Sequence, residues 1–149
     1  MDFATNVWGE LADLGDGVHG ARLHRVRGET LASAVWELDP AAGLVYHFHH
    51  GTHEWLLVLR GTLTLRTHDG ERELREGDVV AFPRGRDGAH GMTNRGDAPV
   101  RYVVVAHHDS PDVIEYPDER RVAVMARTTG ESGEPLELHF HSTDAFERD

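Results

Sequence analysis

Short apolar runs broken by turn signals recur through most of this chain, and that rhythm constrains its fold more than any other feature. From Val18, VHGARLHRVR alternates apolar with polar residues, and TLASAVWEL resumes the pattern after a turn at Gly28-Glu29. Asp39 to Gly43 form a loop by their proline and glycine, after which LVYHFHH and EWLLVLR read as strands. TLTLRTH and ERELREGD flank Asp69-Gly70, a strong hairpin turn. DVVAFP, HGMTN and VRYVVVAHH follow, with a Gly-rich loop from Arg84 to Ala89 between the first two. Roughly eight to ten short strands with almost no strong helix predict an all-β fold, an antiparallel sandwich or barrel.

The ends are less regular. Val7, Trp8, Leu11 and Leu14 sit at helical spacing, so residues 1–17 form a short helix or an arm against a barrel core of about 18–108. In the extension 109–149, DVIEYPDERRVAVMA offers one or two strands, TTGESGEP a linker, and LELHFHSTDAFERD a last strand or helix. Residues 1–149 are expected to form one domain, a length that buries a substantial core unaided.

Composition removes several classes of chemistry. There is no cysteine, which excludes disulfides, thiolate nucleophiles, iron–sulfur clusters and Cys-type zinc sites. All 15 Lys+Arg residues are arginine, which excludes a lysine Schiff base. A net charge of −11 with scattered arginines points away from nucleic acid. No window approaches the ~20 apolar residues of a membrane helix, and the acidic start lacks the form of a signal peptide. A cytoplasmic protein with neither a membrane nor a nucleic-acid partner is the expectation.

Two strands are apolar on both parities: Trp55 to Leu59, and Tyr102 to Ala106. An antiparallel strand with one wet face alternates, so both faces of these are expected to be covered. A second subunit in a symmetric homodimer is the favoured cover. The N-terminal arm or C-terminal tail of the same chain is the rival.

The histidines carry the chemistry. His47 and His49 are two apart and share one face of a strand. Glu54 follows across a short turn at Gly51-Thr52, so pairing of the two segments brings three metal ligands together. His53 competes with Glu54, but adjacent residues point opposite ways and only one faces the site. His50 is turned away from His49 by the same parity. With 12 histidines in the chain, roughly one His-x-His pair arises by chance. The second pair, His139 and His141, has no glutamate or glycine frame and reads as a surface feature. His107-His108, His19, His24 and His68 also read as structural or surface residues.

The first pair does have a frame. His47-x-His49, four residues, Glu54, six residues and Gly61 come first; then come Gly77, five residues, Pro83-x-Gly85, His90, three residues and Asn94. This resembles the two motifs of the cupin superfamily, G(X)5HXH(X)3-4E(X)6G and G(X)5PXG(X)2H(X)3N. The resemblance covers about Leu31 to His107 and extends loosely to EYPDERRV, similar to a stretch in some small single-domain bacterial cupins. Ala41 stands where the first motif has glycine, with Gly43 nearby, and four residues rather than two separate Gly85 from His90.

The resemblance implies a jelly-roll barrel, the double-stranded β-helix, with His47, His49, Glu54 and His90 as metal ligands. Three imidazoles and a carboxylate suit Fe, Mn, Ni, Cu or Zn, and suit calcium poorly. Strand parity puts Val45, Leu56 and Met92 on the inner face, with Trp36, Phe82 and Tyr102 as further wall residues. An apolar, aromatic pocket above a metal is a small-molecule site. Arg84 and Arg86, in the loop before His90, are the arginines best placed to meet an anionic substrate, and a solvated loop is the favoured reading of both. Similar cupins are dioxygenases, decarboxylases and isomerases. An oxygenase is the first expectation. A metal-dependent isomerase or lyase, with Glu54 as a possible base, is the second, and a non-catalytic binding cupin the third.

Overall fold

The computed structural model describes residues 6–25, 30–130, 132 and 135–143. Its strands are β1 (Ala12–Asp13), β2 (Val18–Arg25), β3 (Leu31–Leu38), β4 (Gly43–His49), β5 (Thr52–Arg60), β6 (Thr62–Thr67) and β7 (Gly70–Arg75). β8 (Val79–Phe82), β9 (His90–Thr93), β10 (Val100–His108), β11 (Asp112–Tyr116), β12 (Arg121–Thr129) and β13 (Pro135–Ser142) complete the series. Two 3-10 turns, Arg86–Gly88 and Pro117–Glu119, interrupt them. No helix among the described residues is long and apolar enough to cross a membrane.

The strands form two antiparallel sheets. One runs β1-β2-β3-β10-β5-β8 and the other β13-β12-β11-β4-β9-β6-β7. Between them Leu38, Leu56, Val58, Leu63, Leu65, Val100 and Tyr102 are buried completely or nearly so, with Phe82 and Met92 closing the same cluster. Each fully buried aliphatic side chain there contributes about 1.5–3 kcal/mol.

Two irregularities place side chains where simple alternation does not. Leu44 faces Met92 and His47 faces His90, so Val45 and Tyr46 together oppose the single residue Gly91. This β-bulge shifts the side-chain parity by one residue. A Cβ on Gly91 would lie 3.1 Å from the Tyr46 Cα, so the bulge packs against a bare backbone. In consequence Leu44 joins the core, while Val45 is 50% exposed. The expectation that Val45 lines the interior is therefore corrected. The second irregularity lies on β5, where Tyr102 pairs with Val58 but Arg101 pairs with Arg60, leaving Leu59 as the extra residue.

The ends also depart from expectation. Residues 6–17 form no helix: the chain turns at Asn6–Gly9 and then adds β1 to β2. Val7 and Leu11 pack on Ala21, Val35 and Val103 of the first sheet's outer face, whereas Trp8 and Leu14 stay exposed. The arm thus covers part of the two-sided strands. The linker expected at TTGESGEP is shorter than that stretch, because Thr128 and Thr129 end β12 and Pro135 opens its partner β13; residues 131, 133 and 134 lie outside the described residues. The turn expected at Gly28-Glu29 also lies outside them.

Candidate metal centre

Four side chains from three strands converge inside the barrel. His47 and His49 project inward from β4, Glu54 from β5 and His90 from the start of β9. One ligand atom from each of His47, His49 and Glu54 lies within 4.8 Å of the other two. Glu54 Oε2 is 3.6 Å from His49 Nε2 and 3.2 Å from His90 Nε2. The ring centroids of His47 and His90 are 4.6 Å apart. His53 and His50 point outward, His50 pairing with Glu115 at 2.7 Å. His139 and His141 are exposed on β13, beside Glu137 and Arg121.

Each inward imidazole is fixed through its Nδ1. His47 Nδ1 donates to the Val45 carbonyl at 2.8 Å, inside the bulge. His49 Nδ1 donates to Asp112 Oδ2 at 2.6 Å, and His90 Nδ1 to the Gly88 carbonyl at 2.8 Å. Carbonyls and carboxylates only accept, so Nδ1 carries the proton and Nε2 is left to face the cluster. The longer loop before His90 supplies one of these acceptors. A Cβ on Gly88 would lie 1.8 Å from the Pro83 carbonyl oxygen, so only glycine permits the turn that presents its own carbonyl to His90. Phe82 then stacks on the His90 ring at 3.8 Å between centroids.

The electrostatics match these contacts. Burial and the neighbouring His90 push the His47 pKa down to about 4, so this ring is neutral near pH 7. Burial works against a charged His49, but the Asp112 hydrogen bond and the Glu54 charge outweigh it and raise its pKa. Burial also favours a neutral Glu54, yet close contact with His90 and the other imidazoles holds its pKa at about 2. An ionised carboxylate amid three Nε2 atoms is a donor set for a divalent transition metal.

β11 contributes residues that local spacing did not single out. Ile114 pairs with His49, so Asp112, Ile114 and Tyr116 share the inward face of that strand. Tyr116 lies against His47 at 5.7 Å between ring centroids, and Ile114 is buried. Asp112 accepts from the Gly51 N–H and from the Thr52 hydroxyl, both at 2.7 Å, as well as from His49. Thr52 in turn meets His108 Nδ1 at 3.0 Å, so His108 belongs to the support of the site rather than to the surface. The alternation in Asp-Val-Ile-Glu-Tyr was the available signal.

Of the expected wall residues, Leu56, Phe82, Met92 and Tyr102 lie in the core, and Trp36 packs against it. Arg84 pairs with Asp109 at 2.9 Å and Arg86 lies over the Phe48 ring, so both loop arginines are engaged away from the cluster.

Comparison with known proteins agrees with this fold. The cupin domain family model matches residues 34–106. The tetracenomycin polyketide synthase protein TcmJ of Streptomyces glaucescens is 30% identical over 67 residues, covering 45% of this chain and 44% of that protein. The chain spans less than half the length of the curated relatives it matches. A cupin-superfamily sugar phosphate isomerase from Silicibacter pomeroyi superposes with TM-score 0.69 at 28% identity, covering 83% of this chain and 76% of that one. The polyketide cyclase RemF of Streptomyces resistomycificus gives TM-score 0.54 at 25% identity, covering 61% and 65%. With the two motifs, the two-sheet barrel and the family match in agreement, the chain belongs to the cupin superfamily.

Proposed function

We propose that the protein is a metal-dependent enzyme that rearranges a small, largely apolar molecule bound through neighbouring oxygens, as an isomerase, cyclase or lyase would. The observation that carries this reading is the convergence of ionised Glu54 with three imidazoles whose Nδ1 atoms are already committed. His47, His49, Glu54 and His90 would hold one divalent ion, which would polarise a bound carbonyl or enol oxygen when present. A carboxylate with its pKa held at about 2 suits a ligand better than a general base at neutral pH. The surrounding Phe82, Ile114 and Tyr116 orient the substrate and exclude water.

Two relatives support rearrangement over oxygenation, since one solved structure is described as a sugar phosphate isomerase and another as a polyketide cyclase. The engagement of Arg84 and Arg86 elsewhere favours an uncharged, polyketide-like substrate over a sugar phosphate. The oxygenase reading keeps the support of its donor set, which also suits Fe(II). The whole chain acts as one domain, with β11–β13 continuing the sheet that holds β4. A second copy of the chain covers the exposed patch of Leu31, Trp55 and Val79 on the other sheet's outer face.

Metal analysis tests the site directly. Protein purified without a nickel column is expected to hold close to one transition metal per chain, and the double variant His47→Ala, His90→Ala to lose it. Unchanged metal content in that variant sinks the assignment. With diketone and phenol substrates, a rearranged product without oxygen uptake supports the proposed reaction. Oxygen consumption identifies an oxygenase, and ligand-induced thermal stabilisation without turnover a binding protein.

A further inference from the structure

Among the described residues, the Tyr102 hydroxyl is the one buried side-chain polar atom without a hydrogen-bond partner. The residue is completely buried and sits on the central strand β10 of the first sheet. Its inward placement follows from the register. Tyr102 pairs with Val58, Val104 with Leu56 and Ala106 with Glu54, so Tyr102 lies on the same face as Glu54, about 13 Å further along the strands. The bulge at Leu59 falls beside it, and bulges commonly re-aim a side chain next to a functional site. Burial first, and then the Glu54 charge, raise the pKa of the phenol, so at neutral pH its hydroxyl keeps the proton it would donate.

Phenylalanine would pack in the same space without leaving a donor unmade. The other buried polar side chains around the site are all engaged. Thr52 and Asp112 hold each other, His90 is anchored to Gly88, and Asn94 holds the backbone at Leu38 and Ala98. A lone phenol in a cluster of leucines, valines and Met92 therefore marks a place where a ligand atom completes the bonding.

We infer that Tyr102 is a substrate-binding residue, whose hydroxyl donates a hydrogen bond to an oxygen that the ligand directs down the barrel from the metal. The inference rests on the reading of the His47, His49, Glu54 and His90 cluster as a substrate site. It narrows the ligand to a molecule with an oxygen beyond those that meet the metal. The hydroxyl is completely buried, so side chains of its cluster, flexible Met92 among them, give way when the ligand enters.

Tyr102→Phe with Co(II) and a matched pair of chelators tests this: 4-hydroxybenzohydroxamate carries an oxygen beyond its chelating pair, and benzohydroxamate lacks it. The variant without metal is expected to melt at the same temperature as the parent or above it, and to bind Co(II) within twofold of the parent. Its affinity for 4-hydroxybenzohydroxamate, read from the visible spectrum of the Co(II) protein, is expected to fall at least tenfold, and its affinity for benzohydroxamate to stay within twofold. Equal effects on the two chelators overturn the inference, as does a metal-free variant that melts several degrees lower, which would mark the hydroxyl as a structural group. Parent protein that binds Co(II) but does not prefer 4-hydroxybenzohydroxamate overturns it while leaving the metal site standing. Parent protein that binds no Co(II) removes the underlying site as well.

Discussion

Asp112 holds three groups at once: the His49 ring, the Gly51 N–H and the Thr52 hydroxyl. Burial would favour its neutral form, but the hydrogen bonds from His49 and Thr52 outweigh it and hold its pKa below the ordinary carboxylate value. One carboxylate therefore sets both the tautomer of His49 and the turn between β4 and β5. Outer partners of this kind change metal affinity by about 10–100-fold when removed. Asp112→Ala is expected to weaken metal binding by that factor, measured by competition with a chelator, while Asp112→Asn loses less. Equal affinity in both variants would mean that His49 is oriented by packing alone. Nothing local in the sequence marks Asp112, because its partners lie about sixty positions earlier and meet it only through strand pairing.

Two irregular elements aim the site more than the regular strands do. The bulge at Val45-Tyr46 leaves the Val45 carbonyl for His47 Nδ1, and the 3-10 turn Arg86–Gly88 leaves the Gly88 carbonyl for His90 Nδ1. Adding a methyl at Gly88 drives it into the Pro83 backbone. Overpacking of this kind destabilises by about 1–3 kcal/mol. Gly88→Ala is thus expected to lower the free energy of unfolding by that amount in urea titration and to weaken metal binding, since the His90 acceptor moves. A variant with parent-like stability and metal content would contradict the need for glycine there. Strand parity was legible at His47, His49 and Glu54 because those stretches are regular. It failed at Val45 because a bulge adds one residue and nothing in LVYHFHH signals it.

At the scale of the whole molecule, the outer face of the first sheet is only partly covered. Val7 and Leu11 pack over Val35 and Val103, but Trp55 is 42% exposed, with Val79 and Leu31 exposed alongside. Exposed apolar residues gathered on one sheet face commonly mark an association surface, and two-fold pairing is the commonest outcome. The chain is therefore expected to run as a dimer in light scattering, and Trp55→Arg to shift it towards the monomer with the metal site intact. A parent protein that is monomeric at high micromolar concentration would exclude the pairing.

The β class, the turn chemistry and the convergence of His47, His49 and Glu54 were legible in the sequence, because each depends on residues close together along one strand or across one short turn. Likeness to the cupin motifs added His90, although its loop is two residues longer than the motif's. Only strand pairing brings Asp112, Ile114 and Tyr116 of β11 against the histidines, turns Leu44 rather than Val45 inward, and leaves Tyr102 with an unpaired hydroxyl on the face of β10 that Glu54 shares. Those outcomes depend on strand register between distant segments. A one-residue shift in register exchanges the two faces of a strand, so local composition does not determine them.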